Sequence, residues 1–347
     1  MSAPDLPIPL SFAAMEAETI DELPVGDVWA YEPKWDGFRC LAFRDGDDIE
    51  LRSKAGKPLG RYFPDIVTAL AQPGAKRFVL DGEIVIPFED RLSFEQLLMR
   101  IHPAASRVEK LSHATPAVFV AFDILLAERG GPLADRPFRD RRDRLEAFAA
   151  RYFTDDLRLS PHSTDIEQAR RWLHDGSDGL DGVMAKRLDE PYRPGERSAM
   201  AKIKRMRTAD CVVGGFRYAS RGGVVGSLLL GLHDADGLLH HVGYTSSFRG
   251  DEREALTPEL ERIAGGEGFT GRAPGGPSRW STRRSDEWVP LEPLLVAEVR
   301  YDHFSEGRFR HATRLERWRP DKAPAQCTFD QIASEGRSTL ALLRRDG

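Results

Sequence analysis

The periodicity of the apolar residues changes once along the chain, near Arg207, and that change limits the folds open to it. Upstream, short strand patterns alternate with helix patterns. Downstream, strands predominate, broken by turn signals such as Ser220-Arg221-Gly222-Gly223 and Asp234-Ala235-Asp236-Gly237. The chain has 347 residues, enough for roughly two separate cores. The pattern predicts an α+β domain over 1–207 and a β-rich domain over 208–347.

Within the first part, Phe38–Arg44 and Ile49–Arg52 flank Asp45-Gly46-Asp47-Asp48, which reads as a β-hairpin. Pro64 opens a helix, Arg77–Pro87 is rich in β-branched residues and reads as a strand, and Ser93-Phe94-Glu95-Gln96 is a capping box for a helix reaching about Ile101. Val118–Leu126 is almost continuously apolar and predicts a buried strand. Phe138–Tyr152 and Asp165–His174 read as amphipathic helices, Leu180–Lys186 and Met200–Arg205 as strands. In the second part, Gly265–Pro277 holds six Gly and two Pro and reads as a flexible loop, and Thr328 with Gln331 caps a C-terminal helix from Phe329.

The apolar runs are far short of the ~20 residues a bilayer needs, and the N-terminus lacks a basic-then-apolar signal segment. Three cysteines, Cys40, Cys211 and Cys327, with no CxxC spacing, argue against a disulfide framework and a structural zinc site. A soluble protein of the reducing cytoplasm is expected. The formal net charge of −5 would argue against nucleic acid as a partner, yet a sum says nothing of how charge is arranged on a surface.

The chemistry concentrates in Glu32-Pro33-Lys34-Trp35-Asp36-Gly37-Phe38-Arg39. A lysine between a strand (Val28–Tyr31) and a Gly-containing turn can stand at a pocket mouth, where burial and neighbouring cations free its amine as a nucleophile. Taken alone, the stretch reads more simply as a surface lysine in a loop. An ordered series downstream changes that: Leu80-Asp81-Gly82-Glu83, Val120-Ala121-Phe122-Asp123, Asp181-Gly182-Val183-Met184-Ala185-Lys186, Lys202-Ile203-Lys204, and Arg317-Trp318-Arg319-Pro320-Asp321-Lys322.

This series resembles motifs I, III, IIIa, IV, V and VI of the covalent nucleotidyltransferases, the superfamily of ATP-dependent DNA ligases, RNA ligases and mRNA capping enzymes. The compact two-domain plan, the segment Arg52–Gly60 and the C-terminal pattern are most similar to the bacterial DNA ligase C type. The resemblance covers nearly the whole chain. It implies a nucleotidyltransferase (adenylation) domain followed by an OB-fold domain, and a DNA ligase that seals 5′-phosphate/3′-hydroxyl nicks in duplex DNA through a lysyl-AMP intermediate, in DNA repair. ATP is the expected donor, since too few residues precede Lys34 for the extra N-terminal domain of NAD-dependent ligases. Mg²⁺ or Mn²⁺ is the expected cation. A monomer is expected, with a repair polymerase or nuclease as the candidate protein partner and no membrane partner.

The resemblance also assigns roles, each weighed against a plainer one. Lys34 is the nucleophile. Glu83, by default a solvated strand residue, holds the ribose hydroxyls. Phe122, by default core, stacks on adenine with Met184 on the other face, and Glu32, Arg39 and Lys186 complete the nucleotide site. Lys202 and Lys204, two apart in a strand, point the same way and need an anion, which the α-phosphate supplies. Asp181, otherwise a turn residue, binds the cation with Asp36. Arg319, Asp321 and Lys322, otherwise a solvated loop, organise the pyrophosphate. Arg52, Lys54, Arg279, Arg283 and Arg284 are the candidate DNA-phosphate contacts. The sequence departs from the family pattern in three places: Asp181 stands where Glu is usual, Ser53-Lys54-Ala55-Gly56 where Ser-Arg-x-Gly is common, and Met200 where Trp is frequent. An mRNA capping guanylyltransferase and a non-catalytic nucleic-acid-binding OB protein stay open as rivals on the residues alone.

Overall fold

A computed structural model describes residues 5–343 apart from 90, 176–179, 221–222, 249, 276–286, 306 and 333–338. The chain divides at Arg205/Met206 into two compact units, and the described C-terminal residues 339–343 belong with the first.

In the first unit, β1 (Glu18–Thr19) and β2 (Trp29–Trp35) precede the expected hairpin of β3 (Phe38–Asp45) and β4 (Asp48–Ser53), which turns through Gly46 at φ +63°. Helix α1 (Pro64–Ala71) starts on its proline, and β5 (Arg77–Val85) runs into a short hairpin of β6 (Pro87–Phe88) and β7 (Arg91–Leu92). The Ser93 side chain caps α2 (Phe94–Arg100) by accepting from the Gln96 amide. Then follow α3 (Ala105–Ala114), which no local pattern announced, β8 (Val118–Leu126), α4 (Phe138–Tyr152), β9 (Leu157–Leu159), α5 (Ile166–Asp175), β10 (Leu180–Arg187) and β11 (Met200–Lys204).

These strands form two sheets, β4-β3-β5-β8-β9 and β1-β11-β10-β2. The larger sheet is apolar on both faces. Cys40, Ala42, Phe78, Leu80, Phe119 and Ile124 pack with Ile66, Leu145 and Phe148 of the helices, while Leu41, Phe43, Val79 and Leu125 pack with Met15, Tyr192 and Met200. A strand covered on both faces has no side to leave polar, which is why β8 reads as an almost continuous apolar run, interrupted by Asp123 alone.

The second unit comprises β12 (Arg207–Tyr218), β13 (Val225–His233), β14 (Leu239–Thr245), α6 (Gly250–Arg262), β15 (Val289–Pro290), β16 (Val296–Tyr301), β17 (Phe304–Ser305), β18 (Arg308–Phe309) and β19 (Arg314–Trp318). The main sheet runs β14-β13-β12-β16-β19, with β15 also on β12. Its two edges meet where Thr245 bridges Thr313, and the Thr245 hydroxyl donates to the Thr313 carbonyl at 3.0 Å. The sheet therefore curls into the five-stranded barrel of an OB-fold, closed around Val213, Phe216, Leu228, Leu230, Val242 and Val299. No described helix is long and apolar enough to cross a membrane.

Two expectations are corrected. The expected C-terminal helix is not seen among the described residues, which make 3₁₀ turns at Phe329–Ile332 and Thr339–Leu343. Phe329 and Ile332 pack against the barrel core, whereas Leu340, Leu342 and Leu343 pack with Trp35, Leu92 and Leu180 of the first unit. One amphipathic helix cannot serve two cores. The described part of the Gly265–Pro277 segment is built in rather than loose. Phe269 is 8% exposed, the Gly271 amide donates to the Leu239 carbonyl at 2.9 Å, and the His241 amide to the Arg272 carbonyl at 2.7 Å. A Cβ on Gly271 would lie 2.6 Å from the His240 ring, so that glycine serves close packing.

The same reason operates at Gly182 on β10, where φ is +145° and a Cβ would lie 2.0 Å from the Ile203 carbonyl oxygen. Gly182→Ala should therefore lower stability by about 2–4 kcal/mol, read as a drop in the denaturant midpoint. An unchanged midpoint would show that β10 and β11 do not approach this closely.

Candidate active site

Strand register builds the site. Antiparallel pairing sets Lys34 opposite Gly182 and Glu32 opposite Met184, and on the other side of β10 sets Lys204 opposite Gly182 and Lys202 opposite Met184. Because side chains two apart share a face, Glu32, Lys34, Met184, Lys186, Lys202 and Lys204 rise from one face of the small sheet. The register shifts between Leu180 and Gly182, and this irregularity aims Asp181 at Lys34, with Oδ2 2.5 Å from Nζ. Lys34 lies within β2, which runs through Trp35, and so is held more rigidly than the loop position read from sequence.

The larger sheet supplies the opposing wall. Arg39 and Glu83 are register partners on β3 and β5. The Arg39 guanidinium donates to both Asp81 oxygens at 2.6 Å, and Asp81 also accepts from the Tyr192 hydroxyl at 2.6 Å. Asp36-Gly37 carries the chain from one sheet to the other, and a Cβ on Gly37 would lie 2.4 Å from the Ile84 carbonyl oxygen, so this crossing requires glycine. Between the walls lies a cavity of about 240 Å³ lined by Glu32, Lys34, Arg39, Glu83, Phe122, Met184, Lys186 and Lys202, with Met15, Lys54 and Met200 among its other walls. The Phe122 ring has Arg39 and Lys186 each 4.6 Å from its centroid. Lys186 donates to Glu32 Oε2 at 2.8 Å and to the Phe122 carbonyl at 3.1 Å.

Charge crowding shows in the ionisation. Burial, then the neighbouring Lys34, Lys54, Lys204 and Arg197, push the Lys202 amine down, and burial lowers that of Lys186. Desolvation pushes the Glu83 carboxyl up to about 8, against the pull of Arg39 and Lys34.

Several candidates lie elsewhere. In the barrel unit, Arg319 NH1 and Lys322 Nζ both reach Asp210, at 2.8 and 2.7 Å, and Arg319 also donates to Asp321, whose carboxyl that hydrogen bond draws down to about 2. Lys54 stands at the cavity wall with Nζ 3.2 Å from Glu16, while Arg52 pairs with Glu50. Arg279, Arg283 and Arg284 lie outside the described residues. Sequence reasoning missed Glu16, Tyr192 and Asp210, whose partners are distant in the chain. Asp36 and Asp181 offer carboxylate oxygens within 4.8 Å of each other, a hard-oxygen donor set that fits a divalent cation.

A nucleotidyltransferase domain followed by an OB-fold domain is the plan these units define. Residues 12–204 match the family model of the ATP dependent DNA ligase domain and residues 221–322 that of the ATP dependent DNA ligase C terminal region. The chain belongs to the ATP-dependent DNA ligases. It is 44% identical over 351 residues to DNA ligase C2 of Mycolicibacterium smegmatis, covering 96% of this chain and 98% of that protein. It is 31% identical over 306 residues to the multifunctional non-homologous end joining protein LigD of Mycobacterium bovis, covering 86% of this chain and 37% of that one. A solved Lig E DNA ligase, 16% identical, shares the fold with a TM-score of 0.56 over 88% of this chain and 99% of that one.

The Glu83 shift has a consequence for stability. Its carboxyl rises from 4.5 to about 8 on folding, so between those values the folded state keeps a proton that the unfolded chain releases. The contribution is fully present below pH 4.5 and is lost as pH climbs through 8. Glu83→Gln removes the dependence, so its melting temperature relative to the parent should increase from pH 5 to pH 9. A difference that stays constant would mean that Glu83 is not desolvated.

Proposed function

We propose that this chain seals nicks in duplex DNA bearing a 5′-phosphate and a 3′-hydroxyl, using ATP and a divalent cation. What carries the reading is the row of Lys34, Lys202 and Lys204 on one sheet face beside a base-sized cavity, in a chain of the ATP-dependent DNA ligase family. The lysine amine attacks the α-phosphorus of ATP. The N–P bond forms, the bond to the bridging oxygen breaks, pyrophosphate leaves, and the Nζ proton passes toward Asp181 Oδ2, already in contact. An oxygen of the nick's 5′-phosphate then takes the adenylyl group from Lys34, and the 3′-hydroxyl attacks that 5′-phosphorus and releases AMP.

In this reading the base takes a face of Phe122, with Met184 opposite and Glu32, Arg39 and Lys186 around the edge. Glu83 accepts the ribose hydroxyls. Lys202 and Lys204 stabilise charge on the α-phosphate, and Arg319, Asp321 and Lys322 orient pyrophosphate. A cation held by Asp36 and Asp181 would screen the triphosphate charge and polarise the reacting phosphorus. Arg52 and Lys54, with Arg279, Arg283 and Arg284, contact the DNA backbone. The working state is a monomer in the cytoplasm beside a separate repair polymerase or nuclease. The repair setting is supported by the LigD relative, a protein named for non-homologous end joining.

Gel-resolved sealing of a nicked duplex with ATP and Mg²⁺, run beside single-stranded RNA ends, tests the reading. Sealed DNA is expected, and joined RNA with no sealed DNA would overturn it. Arg319→Ala and Asp321→Ala should each slow adenylation of the enzyme by about 100-fold while leaving the sealing of a pre-adenylated nick nearly unchanged. Equal losses in the two assays would move these residues to DNA binding or folding.

A further inference from the structure

The wall behind Glu32 holds polar groups that the reading above leaves unused. Glu32 is 1% exposed, and its two oxygens have different surroundings. Oε2 accepts from Lys186 at 2.8 Å. Oε1 makes no hydrogen bond and faces Arg142 NH1 across 3.6 Å, and NH1 makes none either. Arg142, 3% exposed on α4, is anchored from its other sides: Nε donates to Glu146 Oε1 at 2.7 Å and NH2 to the Ser160 carbonyl at 2.8 Å. The Ser160 hydroxyl in turn accepts from Trp35 Nε1 at 3.0 Å, next to Lys34.

An enclosed carboxylate oxygen left without a hydrogen bond is costly, and such orphans call for a reason. Here the orphan belongs to a residue lining the nucleotide cavity. A carboxylate free to turn can grip the N1–H and 2-amino group of guanine with both oxygens. Adenine offers only its 6-amino group as a donor on that edge. With Lys186 occupying one oxygen and a fixed guanidinium restraining the other, Glu32 cannot offer two parallel acceptors.

We infer that Arg142 is a positioning residue that acts through Glu32 to set the preference for adenine over guanine. The inference rests on the reading of this cavity as the ATP site. Arg142 does not line the cavity itself. It keeps Glu32 from swinging, and Glu146 and Ser160 keep Arg142 from following it.

The test compares the parent with Arg142→Met and Arg142→Lys, measuring enzyme adenylation and guanylylation with labelled ATP and GTP over a concentration series, and the sealing of a pre-adenylated nick. Arg142→Met should raise KM for ATP about tenfold with little change in kcat and reduce the ATP:GTP preference by about tenfold. Arg142→Lys should recover part of both, and sealing of the pre-adenylated nick should stay at the parent's rate. A preserved ATP:GTP preference in Arg142→Met, or an equal loss in sealing the pre-adenylated nick, would overturn the inference and leave Arg142 a purely structural group. Failure of the parent itself to form an adenylyl adduct would overturn the ATP reading and this inference with it.

Discussion

The contact between Lys34 and Asp181 depends on the register of β2 against β10. Pairing Lys34 with Gly182 puts an acidic residue one position away from the amine, and the local register shift turns its carboxylate onto Nζ. Move β2 by one residue against β10 and every side chain on β2 changes face. Glu32 would leave the cavity together with Lys34, while Met184 and Lys186 on β10 stayed. The two glycines fix this arrangement from below, since Gly182 lets β11 approach and Gly37 lets the chain cross beside β5.

One sheet face of the site carries more cations than carboxylates. Lys34, Lys186, Lys202 and Lys204 share one sheet face with Glu32, and Asp181 reaches in from the register shift. The lowered amine of Lys202 records that crowding, which a polyphosphate would relieve. The opposing sheet handles charge differently. Arg39 is clamped by Asp81, and Asp81 by Tyr192, whose hydroxyl accepts from the Met15 amide at 2.8 Å. That chain of contacts ties the N-terminal segment into the cavity wall.

Local signals carried much of this into the sequence. A spacing of two places Lys202 with Lys204 on one face, a capping serine starts α2, and an almost continuous apolar run marks β8. What stayed hidden depends on contacts between distant residues. Tyr192 meets Asp81 from 111 positions away, Arg319 meets Asp210 from 109, and Glu16 reaches Lys54 and Arg197. No local period encodes these. The C-terminal segment misled for a related reason: its capping pattern is genuine, but its apolar residues are divided between two cores, and tertiary packing overrides the local preference.

The central claim is that Lys34 carries the nucleotide covalently. Incubation with ATP and Mg²⁺ followed by peptide mass mapping tests it most directly. The account predicts one adenylyl group, on Lys34, removed by acid, stable to alkali and missing from Lys34→Ala. An adenylyl group on Lys202 or Lys204, or full adenylation of Lys34→Ala, would contradict it.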